Sequence, residues 1–159
     1  VWMLSPSNRN QRVLRCMQHM VRDAIDGENA ATGMGLTTQK PLEQRRAEIN
    51  RRAREITGDP ELKVNPESST KIVKDAEAAA GLLLGPLSAW QTCSGFAHGR
   101  LWATLSVLEK RELPGAEEGM HRLLVTTPLD RVFWAVVAAT DLTDYGFDLL
   151  RKRSTALYR

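Results

Sequence analysis

The stretch TPLDRVFWAVVAATDLTDYGFDLLRKR, residues 127–153, predicts a long helix near the end of the chain. Thr127 is a good N-cap, Pro128 suits the first helical position, and Asp130 places a carboxylate in the first turn. Lys and Arg residues stand at the other end, where the helix dipole favours positive charge. Because apolar residues recur on two faces, we expect this helix to be the longest, to lie centrally and to bury Phe133.

The apolar periodicity of the preceding sequence predicts four more helices. The first begins after Ser7 or Asn8 and ends at Gly27, so that residues 28–39 form a loop. The other three are expected over residues 41–57, 69–84 and 86–108. A short strand at 121–126 is expected to pair with part of 104–110. The sequence therefore predicts an all-α fold, an antiparallel helical bundle of about five helices, and allows a small β-hairpin near residues 104–126.

The composition is that of an ordinary folded protein. The chain has 159 residues, of which 42% are hydrophobic and 26% charged, which predicts one helical domain over residues 1–159. Because it begins at Val1, we expect it to be the C-terminal part of a longer protein. The net charge of +3 attracts nucleic acid only weakly.

Several features predict a cytoplasmic protein that is not inserted in a membrane. No apolar run approaches the roughly 18 residues that a membrane span needs. The first four residues are too short for the core of a signal peptide. Cys16 and Cys93 both lie in apolar-periodic segments, so we expect two buried, reduced thiols and no disulfide.

The standard cofactor and metal signatures are absent from the sequence. It contains no G-x-x-x-x-G-K-[ST], no G-x-G-x-x-G after a strand, no paired C-x-x-C and no H-E-x-x-H. The three histidines are far apart along the chain. We therefore expect no metal site and no cofactor.

The segment WQTCSGFAHGRLW, residues 90–102, is the most unusual part of the chain. Ser94 and His98 stand four residues apart and so share one face of a helix, which Trp90 and Trp102 extend. One interpretation is a core histidine bonded to Ser94 and to a backbone carbonyl. Another is a polar ligand-binding or catalytic site in which Arg100 takes part. A serine hydrolase is disfavoured, since no third group and no nucleophile-elbow pattern accompanies Ser94.

A neighbouring stripe of small residues, Gly95, Gly99 and Ala103, also needs an explanation. Each glycine inside a helix costs about 1 kcal/mol relative to alanine. Either another backbone packs very closely against this face, or the helix stops near Gly99.

Two basic regions of the sequence suggest a second hypothesis about function. Arg12 and His19 lie two helical turns apart on one polar face, where Arg can clamp a phosphate while His moves a proton, as RNA cleavage through the 2′-hydroxyl requires. The alternative is a solvated basic face. The Arg-rich helix at 41–57 suits either a nucleic-acid backbone or water, because Glu48–Arg52 and Arg51–Glu55 are spaced to form ion pairs.

The chain resembles bacterial helical proteins of the HEPN-like type. The resemblance is carried by the S-x-x-x-H-G core of residues 94–99 between tryptophans, by the long closing helix, and by W-x-L-x-P followed by an Arg-studded helix over residues 2–22. HEPN ribonucleases carry R-x(4–6)-H, to which Arg12 and His19 correspond, usually with a polar residue directly after the Arg, where this chain has Val13.

The resemblance implies a defence or stress-response protein that acts on RNA, by cleavage or by binding, as a homodimer whose two chains assemble one cleft. Catalytic roles would fall to Arg12, His19 and His98. Binding roles would fall to Trp90, Ser94, Arg100 and Trp102. The alternative is a non-catalytic helical module that binds a protein partner or a small ligand at the Ser94–His98 face.

Overall fold

Helices dominate the protein. The computed structural model describes residues 1–82, 85–115 and 118–154. Within them the helices are α1 (Arg9–Gly33), α2 (Leu42–Thr57), α3 (Ser69–Ala80), α4 (Pro86–Ala97), α5 (Leu101–Val107) and α6 (Leu129–Ser154). The mainly helical fold is as the sequence predicts.

A small antiparallel hairpin interrupts the helices between α5 and α6. Strand β1 (Glu109–Glu112) pairs with strand β2 (Leu123–Thr126), so that Glu109 faces Thr126 and Glu112 faces Leu123. The hairpin expected near 104–126 is confirmed, although β1 begins later than expected. All eight strand residues are exposed, so the hairpin extends from the helices instead of covering them.

The first core joins α1 to α2. Met17 and Val21 of α1 pack with Ile49 and Ala53 of α2, and Val64 closes the cluster from the following segment. Val21 and Ala53 are fully buried. Burial of such side chains stabilises the pair by roughly 1.5–3 kcal/mol for each large one. Ile49 and Ala53 therefore lie on the face of α2 that packs against α1.

The second core is built mainly from small residues. Helix α4 packs against α3, α5 and α6, and α3 also contacts α6. The buried residues there are Ala76, Pro86, Ala89, Gly95, Ala103, Ala138 and Leu149. Small side chains let the helix backbones approach closely, but they leave the larger apolar side chains of these helices outside the core.

The N-terminal segment connects these two regions. The Trp2 side chain is 6% exposed, and the guanidinium of Arg15 on α1 lies 5.1 Å from the centre of its ring. Its indole Nε1–H donates to Asp75 Oδ2 on α3 at 3.3 Å. At the far end of α6, Arg153 donates to the carbonyl of Pro6. Trp2 therefore holds α1 and α3 to the same short segment.

The end predicted for the first helix is wrong. The helix passes through Gly27 and reaches Gly33, so the first half of the expected loop at 28–39 is helical. Gly35, with φ of 68°, makes the turn. The N–H of Leu36 then donates to Ala31 O, and that of Gly35 to Thr32 O, which is a Schellman arrangement. A glycine with negative φ inside a helix does not end it.

The single helix predicted over 86–108 is in fact two helices. Helix α4 ends at Ala97, and Gly99, with φ of 60°, turns the chain into α5. The prediction that the third helix reaches Leu84 is also wrong, since α3 ends at Ala80 and Gly81 follows with φ of 63°. Leu84 itself lies outside the described residues.

Helix α6 is the longest, as predicted, with 26 residues. Its expected central burial is wrong, because Leu129 is 82% and Phe133 67% exposed. The helix has two apolar faces, as its sequence indicates. Its small face, with Ala138 and Leu149 buried, packs on the protein, and its larger face is left in solvent.

Both thiols differ from their predicted environment. Cys16 and Cys93 are exposed, and no disulfide joins them. Cys93 lies at the rim of an open groove between α4 and α6 instead of between packed helices. None of the helices, over the residues that the structure describes, is long and apolar enough to cross a membrane.

Candidate functional site

The end of α4 and the start of α5 form the two walls of one open cleft. Its volume is about 380 Å³. The lining residues are Trp90, Gln91, Ser94, Gly95, His98, Arg100 and Trp102. The structure thus brings together all four residues assigned binding roles and one of the three assigned catalytic roles.

The turn between the helices has a defined geometry. Arg100 N–H donates to Gly95 O at 2.8 Å, and Gly99 N–H donates to Phe96 O at 3.0 Å, which is again a Schellman arrangement. The carbonyl of Arg100 accepts from Ala103 N–H at the start of α5. The backbone of Arg100 therefore caps both helices, while its side chain is exposed at the cleft.

Gly95 allows the second helix to fold back on the first. A Cβ at this position would lie 2.7 Å from Cζ2 of Trp102 and 2.9 Å from Cβ of Ala103. Such contacts are too close for any side chain, so Trp102 can rest on α4 only because residue 95 is a glycine. Both explanations offered for the small-residue stripe therefore apply. The helix stops near Gly99, and the close packing partner is α5 of the same chain.

His98 is not a core residue. Its side chain is exposed at the C-terminal end of α4, and Ser94 contributes its backbone carbonyl to the His98 N–H at 3.0 Å. Among the described residues, no hydrogen bond joins the Ser94 hydroxyl to the His98 ring. The interpretation as a buried Ser–His pair is therefore wrong, and the pair is not poised as a nucleophile and its base.

The cleft combines two kinds of recognition group. Trp90 is half-buried and Trp102 is 49% exposed, so both present ring surface beside the imidazole and guanidinium. Indole rings stack on planar ligands, and a guanidinium binds phosphate or carboxylate oxygens. Such a set suits a ligand that has both an aromatic ring and an anionic group.

Gln91 is a cleft residue that the sequence analysis missed. Gln91, Ser94 and His98 follow one another at intervals of three and four, which places three polar side chains along one side of α4. That spacing was visible in the sequence.

Arg12 and His19 lie elsewhere. The guanidinium of Arg12 donates to the carbonyls of Pro6 at 2.9 Å and Ser7 at 2.6 Å, which holds the segment that enters α1. His19 is exposed beside a separate hollow lined by Trp2 and Arg22. The two hollows share no lining residue, so the three residues assigned catalytic roles do not form one site within this chain.

Three of the five arginines of the Arg-rich helix, Arg45, Arg51 and Arg52, form ion pairs. Arg51 bonds Glu48 and Glu55, with its Nη1 2.6 Å from Glu55 Oε1, and Arg52 Nε lies 2.7 Å from Glu48 Oε1. The predicted ion pairs are confirmed. Hydrogen bonds from Arg51 and Arg52 lower the pKa of Glu48. This pairing favours a solvated helix over one that tracks a nucleic-acid backbone.

Over the described part of the chain, no three His, Cys, Asp or Glu side chains are grouped as metal ligands would be. Comparison of the chain with protein-family models, with curated proteins and with solved structures found no match.

Proposed function

We propose that the protein binds single-stranded RNA at the cleft between α4 and α5, as a HEPN-like protein of defence or stress response. The observation that carries the proposal is the convergence of a half-buried and an exposed indole ring, an imidazole and a guanidinium on one open cleft. RNA recognition commonly stacks unpaired bases on aromatic rings and binds the phosphates with arginine.

Each side chain has a role that follows from its chemistry. Trp90 and Trp102 stack on bases, and Arg100 binds the adjoining phosphate. Gln91 and Ser94 bond the sugar or the edge of a base, since each can donate and accept. The cleft volume of about 380 Å³ lies within the range of small-ligand sites, which suits one nucleotide of the strand at a time.

His98 is the group that would make the site an endoribonuclease. As a neutral base it takes the proton of a 2′-hydroxyl, and the 2′-oxygen attacks the neighbouring phosphorus. The bond from phosphorus to the 5′-oxygen breaks, and the leaving oxygen receives a proton from protonated His98 or water. The products are a 2′,3′-cyclic phosphate and a 5′-hydroxyl. Arg100 stabilises the negative charge that collects on the phosphate oxygens.

Anisotropy of a 5′-labelled single-stranded RNA tests the binding. Trp102→Ala should weaken binding by about fivefold to a hundredfold, since one stacked base contributes about 1–3 kcal/mol. Arg100→Ala should weaken it and reduce the slope of log Kd against log salt by about one phosphate contact, roughly 0.7. Arg54→Ala removes an exposed arginine of α2 and is the matched control, which should leave the slope unchanged. Equal binding by all variants would refute the cleft as the site.

Denaturing gels of the same RNA test cleavage. His98→Ala should abolish cleavage and leave binding within a few-fold, whereas His19→Ala should change neither. DNA of the same sequence should bind without being cut, because it lacks the 2′-hydroxyl. Binding without cleavage by the unaltered protein would limit the function to RNA binding.

A small ligand is the alternative, and the cleft volume favours it equally. A nucleoside monophosphate that binds as tightly as an eight-nucleotide RNA would support this alternative over the RNA proposal.

A further inference from the structure

The outward face of α6 carries an uninterrupted apolar seam. Counted from Leu129, its members follow at alternating steps of four and three, the spacing of core positions in a coiled coil. They are Leu129, Phe133, Val136, Thr140, Thr143, Phe147 and Leu150, which we call the α6 seam. Every member is exposed, including Phe133 at 67% and Phe147 at 59%.

The two threonines do not interrupt the seam. Thr140 Oγ1 donates to Val136 O at 2.9 Å and Thr143 Oγ1 to Ala139 O at 2.8 Å. Because both hydroxyls are bonded to their own helix, the methyl groups are what the threonines offer to a partner. The seam thus runs for 22 of the 26 residues of α6.

We infer that the α6 seam is a homodimer interface, on which α6 of a second copy packs in antiparallel orientation. Large exposed apolar stripes on soluble proteins mark contact sites, and this periodicity fits another helix. The inference is independent of the RNA cleft, because no residue of the seam lines it.

The size of the exposed side chains supports association. Leu129 is 82% exposed, and two phenyl rings and two further aliphatic side chains of the seam are at least half exposed. Covering such side chains with apolar surface is favourable by about 25 cal/mol for each Å² removed from water.

The hollows beside the seam provide space for side chains of the second copy. One lies between α4 and α6, is lined by Phe96 and Val136, and has a volume of about 420 Å³. The other adjoins Ile72 and Phe147 and has a similar volume of about 420 Å³. A seam with an apolar hollow near each end suits a partner that brings a phenyl ring to each.

The charged residues beside the α6 seam favour the antiparallel orientation of the two helices. Asp130 and Asp144 flank the seam on the side where Arg151, which also bonds Asp148 of its own helix, flanks it near the other end, and all three are exposed. In an antiparallel pair, Asp130 of each copy approaches Arg151 of the other. A parallel pair would instead bring the basic ends, residues 151–153, together. Antiparallel helix dipoles also attract each other.

Light scattering on a sizing column measures the first consequence. The unaltered chain at tens of micromolar should have the mass of two chains, and the double variant Phe133→Glu/Phe147→Glu that of one. Met34→Glu/Leu36→Glu is the matched control, since those side chains are 67% and 60% exposed outside α6. It should remain dimeric. A single-chain mass for the unaltered protein would overturn the inference.

Cross-linking tests the relative orientation of the two α6 helices without a substitution that disrupts the dimer. In a Cys16→Ser/Cys93→Ser background, Leu129→Cys and Leu150→Cys chains are treated with a short bismaleimide, separately and mixed. The two positions lie about 31 Å apart along the helix. Only the mixture of the two variants should cross-link efficiently, because in an antiparallel pair residue 129 of one copy lies beside residue 150 of the other. Cross-linking within Leu129→Cys chains would show parallel packing and overturn the orientation, and no cross-linking in any sample would overturn the interface.

Discussion

Gly95 is where the cleft and the second core meet. Its missing side chain lets the Trp102 ring and fully buried Ala103 lie against α4. Gly27 is also a glycine inside a helix, but nothing lies within 4 Å of the place where its Cβ would be. A substitution at Gly95 therefore reports on close packing, whereas a substitution at Gly27 reports on helix propensity.

Alanine at each glycine should have opposite effects. Gly95→Ala should lower the free energy of unfolding by about 1–3 kcal/mol, since Trp102 must move. Gly27→Ala should raise it by roughly 0.5–1 kcal/mol, because alanine restricts the unfolded chain and favours the helix. Chemical denaturation measures both, and the tryptophan emission of native Gly95→Ala should shift as well. A stabilising Gly95→Ala would contradict the close packing of Trp102 and Ala103 on Gly95.

At the scale of elements, each strand of the hairpin has one edge that is hydrogen-bonded to the other strand and one edge that is open. The N–H of Leu113 donates to Arg122 O, which fixes the alternation of the ladder. Leu124 then faces Arg111 in a hydrogen-bonded pair, while Leu123 and Val125 direct their N–H groups to the open edge of β2. The two strands of such an isolated ribbon are only marginally stable.

Proline substitutions in β2 test which of its backbone N–H groups bond β1, because proline has no N–H. Val125→Pro should keep the hairpin, because the N–H it removes points away from β1. Leu124→Pro should abolish it, since that N–H bonds the partner strand. Amide hydrogen exchange of Arg111 reports the result. Protection that survives both substitutions, or neither, would show that the register differs from the one observed.

At the scale of the whole molecule, Asp75 and Trp2 join the α1 region to α3. The hydrogen bond from Lys71 lowers the pKa of Asp75 from its ordinary 3.8, and the bond from the Trp2 indole lowers it further. A carboxyl whose folded pKa is depressed adds stability above its unfolded pKa. This contribution is lost as the pH falls through the folded pKa.

Asp75→Asn should therefore destabilise the protein at neutral pH and have less effect in acid. Urea denaturation at pH 7 and pH 3 measures the difference between the variant and the unaltered protein, which should shrink at the lower pH. Asp23→Asn, at an exposed aspartate of α1, is the control and should change little at either pH. A difference independent of pH would mean that the carboxylate charge of Asp75 does not contribute.

Local chemistry determined much of this protein from the sequence alone. Capping and periodicity placed α2 and α6, the ion pairs of α2, the hairpin, and the segment 90–102 as the site to examine. These features depend on neighbours a few residues apart, and the sequence displays such neighbours directly.

Only the tertiary structure decided which apolar face became the core. Phe133 and Ala138 lie on opposite faces of α6, and both faces read as apolar in the sequence. The small face, with Ala138 and Leu149, was buried where α6 packs on α4 and α3, which left the large side chains outside. In the same way, a positive φ at Gly99, invisible in composition, separated α4 from α5 and exposed His98. Burial depends on contacts between distant segments, and periodicity within one segment cannot choose between two faces that are equally apolar.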